Sequence, residues 1–206
     1  MKNVLNYQTC EYDCGPVSLL NGIRYLFDRE EIYPDIVKFI MLYCMDTYNE
    51  HGELCKQGTS SAAMSYITNW LNHFSETRHF PIHCDYIKGK EVVLAPGSPI
   101  WTALENGAAV VLRVNLECWH YVLLTGLAGE QVRLFDPYYR AQPFEDPALR
   151  MVADCPDVCN RIVPAGYLER QTRDAYAFGP VEEREAVLLF NERTVLTADR
   201  TVEYMI

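Results

Sequence analysis

Apolar positions in the first third of the chain recur at helical spacing, whereas those in the second half run in short blocks. Leu19, Ile23 and Leu26, with Leu20 and Phe27, form a broad stripe that predicts a helix from Cys14 to Phe27. Asp13 precedes it, where a helix N-terminus favours a carboxylate. Pro16 suits a first turn because its missing N–H has no intrahelical partner there. Pro34 to Met45 reads as a second helix, apolar on most sides and therefore expected to be buried. Tyr48 to Gly58 is polar and Gly-punctuated, a loop. Thr59 and Ser60 are N-cap candidates for a third helix carrying Met64, Ile67, Leu71 and Phe74 on one face.

After Thr77 the period changes. His79 to Ile87 alternates loosely, as a strand does, and Pro99 to Asn106 forms a short helix that Gly107 ends. Ala108 to Leu116, Trp119 to Leu127 and Gln131 to Phe135 read as strands, the last two joined as a hairpin through Ala128, Gly129 and Glu130. Arg140 to Pro180 is irregular, Glu185 to Phe190 is a further strand, and Thr194 to Met205 is a candidate for one more. Helices first and mostly antiparallel strands afterwards give an α+β class. The 206 residues suit a single domain spanning 1–206, with 140–180 as a specificity or structural extension.

Charge narrows the partners. A net charge of -10 argues against nucleic acid or an anionic membrane surface. No apolar run is long enough to span a bilayer, and the first residues lack the apolar core of a signal peptide, so a cytoplasmic location is expected. The eight cysteines then read mostly as reduced thiols. Cys10 and Cys14, like Cys155 and Cys159, are spaced C-x3-C, without the second tidy pair that a zinc site needs; no metal is expected.

Cys14 falls in the first turn of its helix, where unpaired N–H groups and the helix dipole favour a thiolate, the nucleophilic form. Gly15 leaves room for a substrate backbone to approach, and Gln8 upstream carries an amide able to donate to an oxyanion beside the Cys14 N–H. His120 opens an apolar strand, and Asp136 closes the next strand of the hairpin. Antiparallel pairing brings the start of one beside the end of the other, so Asp136 can orient the imidazole. Trp119 and Tyr121 flank that histidine and are candidates to line a substrate groove.

The segment Gln8 to Gly15 (Q-x5-C-G), the His120 strand (H-Y-V-L-L-T-G) and Phe135-Asp136-Pro137 together resemble the C39 peptidases and their C39-like relatives, within the papain-like cysteine peptidase superfamily. The resemblance spans roughly Val4 to Tyr138. It implies a papain-like fold, with N-terminal helices packed on an antiparallel sheet. It also implies Cys14 as nucleophile, His120 as general base and then acid, Asp136 as orienting residue and Gln8 as oxyanion donor, with no cofactor. The substrate it implies is a peptide or a small amide, Gly-Gly leader peptides included. The best-known members are joined to an exporter and an ATPase, whereas this sequence carries no P-loop. An acyltransferase would use the same residues, and a non-catalytic leader-peptide-binding module would share the fold.

Overall fold

The computed structural model describes residues 3–193. Its centre is one seven-stranded antiparallel sheet, in the order β1-β7-β2-β3-β4-β6-β5. The strands are β1 (Ile82–Lys88), β2 (Ala109–Leu116), β3 (Cys118–Ala128), β4 (Gln131–Phe135), β5 (Arg150–Met151), β6 (Arg161–Pro164) and β7 (Glu185–Asn191). The expected β3–β4 hairpin forms, with Gly129 at positive φ in its turn. The last described strand, β7, does not add at an edge. It slots between β1 and β2, and its near-continuous apolar run Ala186 to Leu189 suits a strand buried on both faces.

Helices α1 (Cys14–Leu26), α2 (Pro34–Tyr43) and α3 (Ser61–Arg78) cover one face. Leu19, Ile23, Met64, Ile67 and Leu71 meet Val111, Leu123 and Leu189 of the sheet in one core. Ser60 caps α3 by accepting from the Ala63 N–H at 3.1 Å. The opposite face is covered by α4 (Pro99–Glu105), α5 (Ala165–Leu168) and the chain around Tyr176 and Phe178.

Two expectations change. Helix α2 is not enclosed: it buries only Ile36 and Ile40, while Met41, Leu42 and Tyr43 are exposed. It packs through one side against α1 and α3, and Phe39 stacks on Trp70 with centroids 3.8 Å apart. The irregular 140–180 stretch is also more ordered than its composition suggests. It supplies β5, β6 and α5 and buries Leu168, Tyr176 and Phe178 completely. The candidate strand from Thr194 to Met205 lies outside the described residues.

Asp13 sits at the N-cap of α1 but makes no side-chain cap. Its buried carboxylate turns back instead, accepting from the Thr9 N–H at 3.1 Å, the Thr9 hydroxyl at 2.9 Å and the Cys10 N–H at 3.2 Å. That folds the 8–13 segment against the start of α1. Farther along, Gly22 lets α1 approach the sheet: an added Cβ would stand 2.4 Å from the Leu189 Cδ1. Overpacking of a tight core costs about 1–3 kcal/mol, against about 0.5–1 kcal/mol gained by removing a helical glycine. Gly22→Ala is therefore expected to lower stability, which a urea titration of the two proteins would read as a lower midpoint at unchanged m.

Candidate active site

Three elements converge at one end of the sheet. The start of α1 carries Cys14, the start of β3 carries His120, and the residue after β4 is Asp136. All three side chains are buried, at 6%, 6% and 1% exposure. In the β3–β4 register Leu123 faces Phe135, so Asp136 lies beside the beginning of β3. Its Oδ1 stands 2.8 Å from His120 Nε2. Cys14 and His120 line the same cleft, and the Cys14 thiol acts electrostatically on the imidazole. The helix places Cys14 where first-turn N–H groups lack intrahelical acceptors.

The electrostatics follow from that arrangement. Burial alone would lower the His120 pKa, but the Asp136 hydrogen bond and the charges of Asp136 and Cys14 outweigh it and push it up to about 10. Burial alone would raise the Asp136 pKa. The His120 hydrogen bond and charge, the Tyr176 hydroxyl and the Tyr138 N–H more than compensate and hold it below the usual carboxylate range. The site therefore keeps an imidazolium against a carboxylate at neutral pH.

These groups open onto a cleft of about 670 Å³, whose walls include Gln8, Tyr12, Cys14, Thr59, Trp119 and His120. Gln8 is anchored by its own N–H to the Pro137 carbonyl at 2.8 Å. Its Nε2 donates to the Cys10 carbonyl at 2.8 Å, which occupies one of the two N–H bonds of the amide. Trp119 lines the wall, with the Arg113 guanidinium 4.8 Å from its ring centroid.

One of the expected groove residues, Gly15, does not line the cleft. Gly15 is buried against Thr59, whose Oγ1 would lie 2.2 Å from an added Cβ; the missing side chain admits Thr59 rather than a substrate backbone. Tyr121 lines the cleft as expected, yet it is only 4% exposed: its ring joins the helix-side core and its hydroxyl donates to Glu185 Oε1 at 2.5 Å.

Sequence reasoning missed the residues that hold Asp136. Asn160 accepts from the Asp136 N–H and donates to its carbonyl, both at 2.8 Å. The Tyr176 hydroxyl donates to Oδ2 at 2.7 Å. Neither carries a local signal; each depends on β6 pairing with β4 and on the chain returning past Asn115. Cys118, at the cleft mouth two residues before His120, was also not singled out. Cys155 and Cys159 have sulfurs 3.2 Å apart, and no group of three metal-ligating side chains occurs among the described residues.

No family model matches the chain, and no curated protein matches it. Solved structures similar to it include the following two. One is the peptidase domain of Streptococcus ComA, a bi-functional ABC transporter involved in a quorum sensing pathway. Its TM-score is 0.44 at 14% identity, covering 91% of this chain and 96% of that chain. The other is a double glycine motif protease from an AMS/PCAT transporter in complex with the leader peptide. Its TM-score is 0.42 at 11% identity, covering 91% of this chain and 90% of that chain. No helix among the described residues is long and apolar enough to cross a membrane.

The ion pair gives a signed pH dependence. His120 is raised from 6.5, so its contribution to stability is complete below pH 6.5 and disappears as pH rises through about 10. Asp136 is lowered from 3.8, so its contribution is present above pH 3.8 and disappears as pH falls through the depressed value. Asp136→Asn is expected to cost on the order of 3 kcal/mol in the window where both hold. Urea unfolding of both proteins across pH should show the gap widest between 3.8 and 6.5 and narrowing toward 10.

Proposed function

We propose that the chain is a cysteine peptidase or amide hydrolase acting through Cys14, His120 and Asp136. The observation that carries this reading is a buried helix-N-terminal thiol at the wall of one cleft with an imidazole held protonated, the imidazole 2.8 Å from a buried carboxylate. A thiol paired with an imidazolium is the arrangement that supplies a thiolate nucleophile.

In this mechanism the Cys14 sulfur attacks the carbonyl carbon of a peptide or amide bound in the cleft. The carbonyl oxygen becomes an oxyanion, stabilised by the Cys14 backbone N–H and the second N–H of Gln8. His120 gives its proton to the departing amine, leaving a thioester on Cys14. Water then attacks the thioester, with His120 taking the proton, and the acid leaves with the thiolate restored. Asp136 keeps Nε2 protonated throughout, so the other ring nitrogen faces Cys14. Trp119 is the cleft residue best placed to contact the substrate beside the reacting bond, and leader peptides with a Gly-Gly pair belong among the first substrates to try.

The test is incubation with a peptide library followed by mass-spectrometric mapping of new termini. Wild-type protein is expected to cut, with Cys14→Ala and His120→Ala each slower by about 10³-fold or more. Cleavage undiminished in Cys14→Ala would overturn the reading. Added hydroxylamine separates hydrolysis from acyl transfer: a hydrolase forms acid as its main product in its absence, whereas a transferase turns over only with an amine present.

A further inference from the structure

We infer that Tyr176 is a positioning residue of the site, its hydroxyl holding Asp136 Oδ2 so that Oδ1 faces His120. This rests on the proposed Cys14–His120–Asp136 chemistry and adds a residue to it from the stretch that looked irregular in sequence.

Both carboxylate oxygens and both backbone polar groups of Asp136 are engaged. Oδ1 lies 2.8 Å from His120 Nε2 and accepts from the Tyr138 N–H at 2.8 Å. Oδ2 accepts from Tyr176 at 2.7 Å, and the backbone N–H and carbonyl are both taken by Asn160. Without Tyr176, Oδ2 would be a buried anionic oxygen lacking this donor. A carboxylate free to turn about χ2 would present His120 with a poorer acceptor.

Tyr176 is also held more firmly than a space-filling aromatic needs. Its side chain is fully buried, and its φ of 64° lies in the left-handed region that bulky residues rarely adopt. Such a conformation persists only where surroundings over-determine it. Here the Tyr176 N–H donates to the Asn115 carbonyl at 2.7 Å, and the Asn115 N–H to the Ala177 carbonyl at 2.8 Å. The ring meets Phe144 edge-on, with centroids 5.7 Å apart. Phenylalanine would fill the same space, so the hydroxyl is the feature that packing leaves unexplained. Burial and the Asp136 charge push the phenol pKa well up, which keeps the group a neutral donor.

The charged and titratable groups around this pair come from four directions. Cys14 lies across the cleft from α1, Cys118 stands at the start of β3, Arg161 of β6 donates its Nη1 to the Asn160 carbonyl at 2.8 Å, and Tyr176 itself arrives from beyond α5. Arg161 is 2% exposed, and its charge and that of Asp136 are the ones that bear on the phenol, while the bonded order of groups is imidazolium, carboxylate, phenol.

The test is an NMR titration of the ¹⁵N-labelled imidazole of His120 in the full chain. Wild type, Tyr176→Phe and Tyr86→Phe are compared. Tyr86 makes a similar tyrosine–carboxylate bond to Glu185, at 2.5 Å, and so controls for loss of a hydroxyl that binds a buried carboxylate. Tyr176→Phe is expected to lower the His120 pKa by about one unit, tenfold in protonation equilibrium, while Tyr86→Phe leaves it in place. Identical titration of wild type and Tyr176→Phe would reduce Tyr176 to a core aromatic. A wild-type His120 titrating near 6.5 would instead count against the triad reading itself. Should Tyr176→Phe not fold, the wild-type ¹³Cζ resonance of Tyr176 serves: it is expected to move in Asp136→Asn, and an unmoved resonance would overturn the proposal.

Discussion

A buried carboxylate is stable as an anion only where donors surround it, and Asp136 sets that requirement for this fold. Its partners come from β3, from the turn after β4, from the residue preceding β6 and from the return beyond α5. No one segment could supply them. The strand order β3-β4-β6 is what brings them together: β3 delivers the imidazole on one side of Asp136, and β6 delivers Asn160 on the other. Assembly of the sheet and assembly of the site are thus the same event. A change that unpairs β6 from β4 should loosen His120 without touching either strand that carries the triad.

Asparagine side chains recur where the backbone has no ladder partner. Asn160 pairs its amide with the N–H and carbonyl of Asp136, Asn21 does so with Asn6, and Asn72 with Cys84. In each case one primary amide, with an acceptor and a donor side by side, replaces the missing strand. The Asn21 pair ties the segment leading to Gln8 onto α1. The Asn160 pair fixes the backbone of the orienting carboxylate. Both ends of the site are therefore held by side chains whose orientation is set within the core, which suits chemistry that tolerates little misplacement.

Sequence pattern carried the parts of this arrangement that are local. Helical spacing around Leu19 and Ile23 located α1, and with it Cys14 in a first turn. The short link between β3 and β4 gave the hairpin, from which the meeting of His120 and Asp136 follows by antiparallel geometry. What pattern did not carry is long-range. Tyr176 lies 40 residues beyond Asp136, in a stretch whose prolines and charges read as loop. The apolar run of α2 suggested burial because composition does not say which side of a helix meets a neighbour. Gly15 was assigned to the groove from proximity in sequence, and the Thr59 contact covers it instead.

The two neighbours at the start of β3 offer a useful contrast. Residues 120 and 121 each meet a buried carboxylate, on opposite faces of β3. Glu185 receives the Tyr121 and Tyr86 hydroxyls at 2.5 Å each and the Arg113 guanidinium at 3.1 Å. Asp136 receives a phenol, a backbone N–H and an imidazole. Both anions are desolvated and both are well satisfied, so burial and charge alone do not distinguish a working carboxylate from a structural one. The difference lies in what the partners can do. Two phenols and a guanidinium hold their protons throughout the physiological range, so the Glu185 cluster can only pin β1, β2, β3 and β7 together. An imidazole can pass its proton on, and a thiol stands with it at the wall of a cleft. The Asp136 end of β3 is therefore where the proposed chemistry belongs, and the Glu185 cluster is the fixed frame against which it would be done.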